Sequence, residues 1–341
     1  MSTILSLIHF NDVYHVTPQR VPGTSTMIDV TQFAALLDTL KSRWPGGQGL
    51  VLFSGDAFSP SVESSVTRGS HMVPVMNQLM PDISLTGNHE FDFGYPHLLK
   101  LLEACKFPWL LSNIVDTETG QPPKGVERFK VFERSGLRVG IIGVVELEWI
   151  ATVGSWPPNF KYQPMQDVGI ELSKLLRDPA GEHRCDLVLA LTHARQDITL
   201  AKQLGALPNG GGASQHGVDI TFGGHDHMYY IGRGIKEWEN YDFNKQELGA
   251  EGDDGLLIVK SGTDFRDLSS MEVEVIDAPE GSVRKKIVKS IKGNHHIVTH
   301  DMPASESMQQ LIQPLLDDVS STLKKPACKA LTPFDCRSSI V

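Results

Sequence analysis

The chain has 341 residues, 40% hydrophobic and 21% charged, with 31 glycines and 20 prolines; that balance fits a globular protein and excludes collagenous, coiled-coil and disordered chains. Its 31 basic and 41 acidic side chains give a formal net charge of −10, so attraction of the whole molecule to nucleic acid or an anionic membrane is not expected. No run of about 18 apolar residues occurs, so no membrane-spanning helix is expected either.

The four cysteines, Cys105, Cys185, Cys328 and Cys336, are widely spaced and include no CxxC pair. That argues against a disulfide framework or a thiolate zinc site. The apolar run from Ile4 to Phe10 follows no basic segment and leads straight into Asn11-Asp12. It therefore reads as a buried first strand rather than a secretion signal, and a reducing cytoplasm is the expected compartment.

In chain order, Thr3–Phe10 is the first expected strand. Phe33, Leu36, Leu37 and Leu40 give residues 31–43 helical spacing, and Trp44-Pro45-Gly46-Gly47 stops the helix. Leu50–Phe53 and Ile83–Leu85 are short buried strands, and residues 96–104 a short helix. Arg68-Gly69-Ser70-His71-Met72 resembles a tag scar, but it is internal, runs into an apolar helical stretch and reads as native. Residues 139–145, 186–191, 219–222 and 256–259 are further apolar strands. The glycine-rich stretch 205–217 reads as a mobile surface loop. Residues 236–254, with seven acidic and two basic side chains, read as a solvated loop, or else a lid or partner contact. Residues 270–276 and 283–291 alternate as half-exposed antiparallel strands do. Strands alternating with helices, then strands without them, point to an α/β sandwich with mixed sheets. Met308, Leu311, Ile312, Leu315, Leu316, Val319 and Leu323 form a helical stripe, closed by Lys324-Lys325-Pro326. The expected division is a domain over 1–300, then a helix and tail over 301–341 too short for a core of their own.

The informative feature is where the strands end. Five of them run into polar clusters: Asn11-Asp12-Val13-Tyr14-His15, Ser54-Gly55-Asp56, Thr86-Gly87-Asn88-His89-Glu90-Phe91-Asp92, Thr192-His193 and Gly223-Gly224-His225-Asp226-His227. Ligand sites in α/β sheets lie beyond the carboxyl ends of strands, so the clusters are expected to converge. Carboxylate, carboxamide and imidazole are oxygen and nitrogen donors for Mn, Fe, Zn or Co, and no thiolate is offered. An Asp can bridge two ions, and neighbouring glycines let the backbone approach closely. Taken singly, each member has an ordinary explanation: Asp12 or Asp56 as a turn or helix cap, His193 as a satisfied core histidine. The ordered set is far more specific than any member.

That ordered set resembles the pattern D-x-H, G-D, G-N-H-E/D, H and G-H-x-H of the calcineurin-like metallophosphoesterases. The wording HFNDVYH, LFSGDAFSP, LTGNHEFDFG, LTHARQD, FGGHDHMYY and KSGTDFRDLSSMEVEV is similar to the 5'-nucleotidase branch, over about residues 3–292. The resemblance implies a four-layer α/β/β/α sandwich with two mixed sheets and two divalent ions (Mn, Zn, Fe, Co or Mg) at the strand ends. On it, Asp12 and His227 hold the first ion, Asp56 bridges, and Asn88, His193 and His225 complete the second. His89 is the general acid or charge stabiliser beside the phosphoryl group, and Asp92 orients it. The implied activity is hydrolysis of a small phosphoric monoester such as a nucleotide, by hydroxide activated between the ions. A phosphodiesterase or nuclease on the same centre is the alternative.

The sequence departs from the pattern at Tyr14, where the family has a histidine ligand. Tyr14 can coordinate as a phenolate, or leave the first site short of a ligand; it is the feature that supports a further alternative, a binding or regulatory module that keeps the fold without turnover. His15 is adjacent but points away in an extended segment. The resemblance also makes helix 308–323 similar to a linker, and the stretch from Leu331 similar to the opening of the branch's nucleoside-binding domain. Tyr229 and Tyr230 are the candidate aromatic contacts for a nucleoside, while Phe91, Phe93 and Tyr95 are expected to pack.

Overall fold

In the computed structural model, which describes residues 2–21 and 23–325, the first strand, Thr3–Phe10, pairs parallel with Leu50–Phe53 and antiparallel with Asp267–Asp277. The parallel series continues through Ile83–Leu85 to Trp109–Leu110. These strands are almost continuously apolar because parallel strands are covered on both faces; every residue of Leu50–Phe53 and Ile83–Leu85 is buried. Lys286–Ile297 and Glu237–Glu239 extend the other edge, giving seven strands among the described residues. A second sheet of six strands runs Tyr229–Ile231, Ile258–Ser261, Ile220–Gly224, Leu187–His193, Leu137–Val145, Phe129–Arg134. Its four inner strands are parallel and its two edges antiparallel.

The sheets face each other over one core that includes Leu85, Leu110, Leu189, Phe222 and Val259. Gly143 lets them close, since a Cβ there would lie 2.7 Å from both Leu110 Cβ and Leu85 Cδ1. Helix Val30–Lys41 lies outside the first sheet. It starts at Asp29, whose side chain accepts from Thr31 N while Gln32 accepts from Asp29 N, a capping box. Helices Met165–Arg177 and Asp197–Gln203 cover the second sheet with Leu172, Leu176 and Leu200. The layers are helix, sheet, sheet, helix, as the resemblance implies. The final helix among the described residues, Glu306–Leu323, is capped by Ser305 and buries Met308, Ile312 and Val319. It lies against Val30–Lys41, Val62–Thr67 and Met72–Leu79.

Three expectations need correction. The glycine stretch 205–217 is anchored: Arg284 Nε donates to Gln215 O inside it, the same guanidinium donates to Leu204 O and Val218 O at its two flanks, and a Cβ on Gly217 would lie 1.9 Å from Leu204 O. The strand expected from 283 begins at Lys286, because Val283 N and Arg284 N donate to Ala213 O in that loop. The acidic stretch is not all loop, since Glu237–Glu239 pairs parallel with the last strand and buries Trp238. Cys105 and Cys185 are free; Cys328, Cys336 and the tail from Ala327 lie outside the described residues.

Candidate metal centre

Parallel register aligns the carboxyl ends of the strands: Phe10 pairs with Phe53 in one sheet, and Val145, His193 and Gly224 lie abreast in the other. Immediately beyond, the backbone bends sharply. Asp12, Asp56, His225 and His227 have φ values of 53°, 65°, 81° and 61°, a left-handed conformation uncommon for residues with a Cβ. Each costs of order 1–3 kcal/mol, and such strain collects at functional sites. The glycines make room: a Cβ on Gly87 would lie 2.2 Å from Asp56 Oδ1.

One cluster forms around Asp56, Asn88, His193 and His225. His193 is fully buried, and its Nδ1–H donates to Ser54 O at 2.8 Å. That bond turns Nε2 toward Asp56 Oδ2 (3.0 Å) and Asn88 Oδ1 (3.2 Å). His225 Nδ1 is 3.3 Å from His193 Nε2. One donor atom each from Asp56, His193 and His225 lie within 4.8 Å of one another. That separation and donor chemistry fit a divalent ion with bonds of about 2.0–2.2 Å.

A second cluster joins Asp12, Asp56 and His227 through the Tyr14 hydroxyl, which lies 3.0, 3.2 and 2.9 Å from Asp12 Oδ1, Asp56 Oδ2 and His227 Nε2. His15 turns the other way and pairs with Asp264 at 2.9 Å. Burial alone would raise the Asp12 carboxyl pKa, but the His227 hydrogen bond and the His193 and His227 charges hold it down at about 2. Burial would lower His193, yet Asp56 and Asp12 push it up to about 10. Burial and the His193 charge push His225 down to about 4. Burial and the Asp56 and Asp12 carboxylates push the Tyr14 phenol well above its ordinary value.

His89 stands beside these clusters. Its backbone N–H donates to Asp56 Oδ1 (2.9 Å), and its ring Nδ1–H donates to Asp92 Oδ2 (2.8 Å). Burial works against the imidazolium, but Asp92 and Asp56 outweigh it and raise the pKa to about 9. His89 lines a cleft of about 420 Å³ together with Asp56, Asn88, His225, His227 and others.

Several residues of the site escaped the sequence reading. Glu90 is buried and accepts from Asp56 N, Ala57 N and Gly87 N, lacing together the loops that carry Asp56 and Asn88; its place in the GNHE motif was the available signal. Glu146 Oε1 lies 3.5 Å from His225 Nε2, and Arg195 and Gln196 line the same cleft. Glu146 follows the strand Leu137–Val145 directly, a sixth strand end at the same rim. Buried Lys260 pairs with Asp197 and with Asp226, between the two histidines of the last motif.

The calcineurin-like phosphoesterase family model matches residues 5–229. The chain is similar to an NAD 5'-nucleotidase of Haemophilus influenzae, 24% identical over 86% of this chain and 48% of the relative. It thus spans less than half that relative's length. Two solved structures share the fold. A 5'-nucleotidase precursor from Thermus thermophilus has TM-score 0.73 and 19% identity over 94% of this chain and 60% of the other. The calcineurin-like phosphoesterase YfkN from Bacillus subtilis has TM-score 0.72 and 17% identity over 95% of this chain and all (100%) of the other.

Proposed function

Because the chain belongs to the calcineurin-like phosphoesterase family, we propose that it hydrolyses small phosphoric monoesters, 5'-nucleotides among them, with a divalent metal ion held by Asp56, Asn88, His193 and His225. The observation that carries this reading is the convergence of those four side chains beside the His89-lined cleft. A second ion on Asp12, Asp56 and His227 is the two-ion form of the same reading, and Tyr14 stands in its way. A bound divalent ion supplies Lewis acidity at phosphoryl oxygens and brings the pKa of a bound water toward neutrality.

The protein's own side chains supply the rest. With Nδ1 engaged by Asp92, His89 has Nε2 left for the cleft. Held protonated near neutral pH, it can give a proton to the leaving oxygen or a hydrogen bond to a phosphoryl oxygen. Asp92 orients the ring. The Arg195 guanidinium adds positive charge at the cleft in an otherwise acidic protein. The volume suits a ligand of nucleotide size. The names of the relatives, NAD 5'-nucleotidase and 5'-nucleotidase, support a nucleotide as one substrate. The test uses the whole chain, stripped with a chelator and reloaded with Mn²⁺, on an aryl phosphate monoester and the matching diester. Metal-dependent monoester turnover is expected. Turnover confined to the diester makes it a phosphodiesterase, and no turnover of either makes it a binding module.

A further inference from the structure

In the half of the centre built from Asp12, Asp56 and His227, the donor atoms converge on an oxygen that the chain itself provides. The Tyr14 hydroxyl is within 3.2 Å of one atom from each, and the residue is buried. An ion bonded to all three side chains at about 2.0–2.2 Å needs their donor atoms within about 4.4 Å of one another; among the described residues the group that meets within 4.8 Å is Asp56, His193 and His225, whereas here the phenol oxygen stands between the donors. The half is also balanced in hydrogen bonds without a cation. The phenol O–H donates to a carboxylate, and its lone pair can accept from His227 Nε2–H. Asp12 Oδ2 already accepts from Asn11 Nδ2 (2.7 Å) and His225 N (2.9 Å). Tyr14 is held in position from two sides. Its backbone N–H donates to Asp264 Oδ1 (3.2 Å), and its ring centroid lies 5.5 Å from that of His227 and 5.9 Å from that of His89. In the other half, the Asp56, His193 and His225 atoms face one another.

We infer that the centre holds one divalent ion, in the half formed by Asp56, Asn88, His193 and His225, and that the Tyr14 hydroxyl takes the place of a second. This rests on the metal-dependent reading above for its first ion alone. The family pattern puts a cation in the Asp12 half; this chain puts a hydrogen-bonding group there.

The test counts ions instead of turnover. Chelator-stripped chain is titrated with Mn²⁺ by calorimetry, and metal retained after desalting is measured by elemental analysis. The wild type is expected to hold one equivalent and to give the electron paramagnetic resonance spectrum of an isolated Mn²⁺. Tyr14→His is expected to hold two, with a spin-coupled spectrum. Adding His227→Ala to that variant should return it to one, which locates the added ion. If Tyr14→His does not fold, the wild-type count and spectrum decide alone. Two equivalents or a coupled spectrum in the wild type overturns the inference. So does a tyrosinate charge-transfer band after loading with Fe³⁺, because the phenol would then be a ligand. Monoester turnover by a wild type holding two ions removes this inference and leaves the proposed function standing. One ion without turnover does the reverse, and no bound ion removes both.

Discussion

His89 and Asn88 are neighbours in sequence with different surroundings: the Asn88 side chain faces the donor cluster, and on the proposed function His89 serves the cleft. The His89 ring is fixed from outside by Asp92. His89→Ala should therefore cut kcat by about 10²–10⁴-fold while the metal content measured by elemental analysis stays at the wild-type value. Loss of metal would make His89 a ligand. His9 makes a different point. It is fully buried between Ser54 Oγ (2.8 Å) and Ser261 Oγ (2.7 Å). Burial pushes its pKa down to about 3 and outweighs the opposing Asp12 charge. The folded value lies below the unfolded one of about 6.5. The stability tied to neutral His9 is thus complete above about pH 6.5 and falls as pH drops toward about 3, by up to about 1.4 kcal/mol per pH unit. Urea denaturation at pH 7 and pH 5 should show a smaller acid loss in His9→Gln than in the wild type; equal losses would assign the acid sensitivity elsewhere. The histidines and aspartates of the candidate centre are legible because they stand in short motifs at strand ends. Glu146 and Lys260 are not, because each acts through a partner distant in sequence, and Lys260 reads as one polar residue in an apolar strand.

At the scale of elements, the parallel strands announced themselves as apolar runs, since burial on both faces removes the alternation. The edge strand Glu237–Glu239 did not, because only Trp238 of its three residues is buried and the flanking charges are solvated. Helix Met165–Arg177 was also missed. Its apolar residues Val168, Leu172 and Leu176 keep a spacing of four, but Gly169 interrupts the face. That glycine is a packing device: a Cβ there would lie 2.8 Å from Leu204 Cδ1. The stripe on the last helix is legible and only partly used. Met308 is fully buried and Leu323 is 55% exposed. Met308→Ala should cost about 2–5 kcal/mol, the range for large-to-small changes in a core. Leu323→Ala should stay within about 0.5 kcal/mol. Denaturant midpoints of the two variants check this; a neutral Met308→Ala would mean that the helix does not stay docked in solution.

At the scale of the whole molecule, the sandwich was legible in kind but not in its pairing. Which strands join which sheet depends on register and on close approaches such as Gly143 against Leu85 and Leu110, and similar apolar runs carry no such labels. Substrate choice is likewise a property of the assembled surface. Selecting one nucleoside needs a flat apolar face for the base and polar partners for its edge. Tyr229 and Tyr230 were the sequence candidates, and both are committed elsewhere. The Tyr229 ring stacks on His295 with centroids 3.4 Å apart, and its hydroxyl accepts from Trp238 Nε1. The Tyr230 hydroxyl donates to Asp253. Phe91 is buried against Trp149 and Trp156. Among the described residues lining the cleft, the aromatic one besides the imidazoles of His89, His225 and His227 is Trp149, 2% exposed, with its indole N–H given to His193 O. What remains at the rim is charged or polar: Glu148, Arg195 and Gln196. Such groups can bond phosphate, ribose or a base edge, but without a free flat apolar face beside them they hold no one base strongly. This chain should therefore hydrolyse AMP, UMP and a simple aryl phosphate with kcat/KM values within about 100-fold, less than about 2.7 kcal/mol of differential transition-state binding. Steady-state kinetics on the three substrates at one metal concentration decide it. A wider preference for one nucleotide would mean that a base-reading surface exists outside the cleft, and the loop carrying Tyr241 and Phe243, whose rings lie 5.0 Å apart, is where substitutions to Ala should then abolish the preference first.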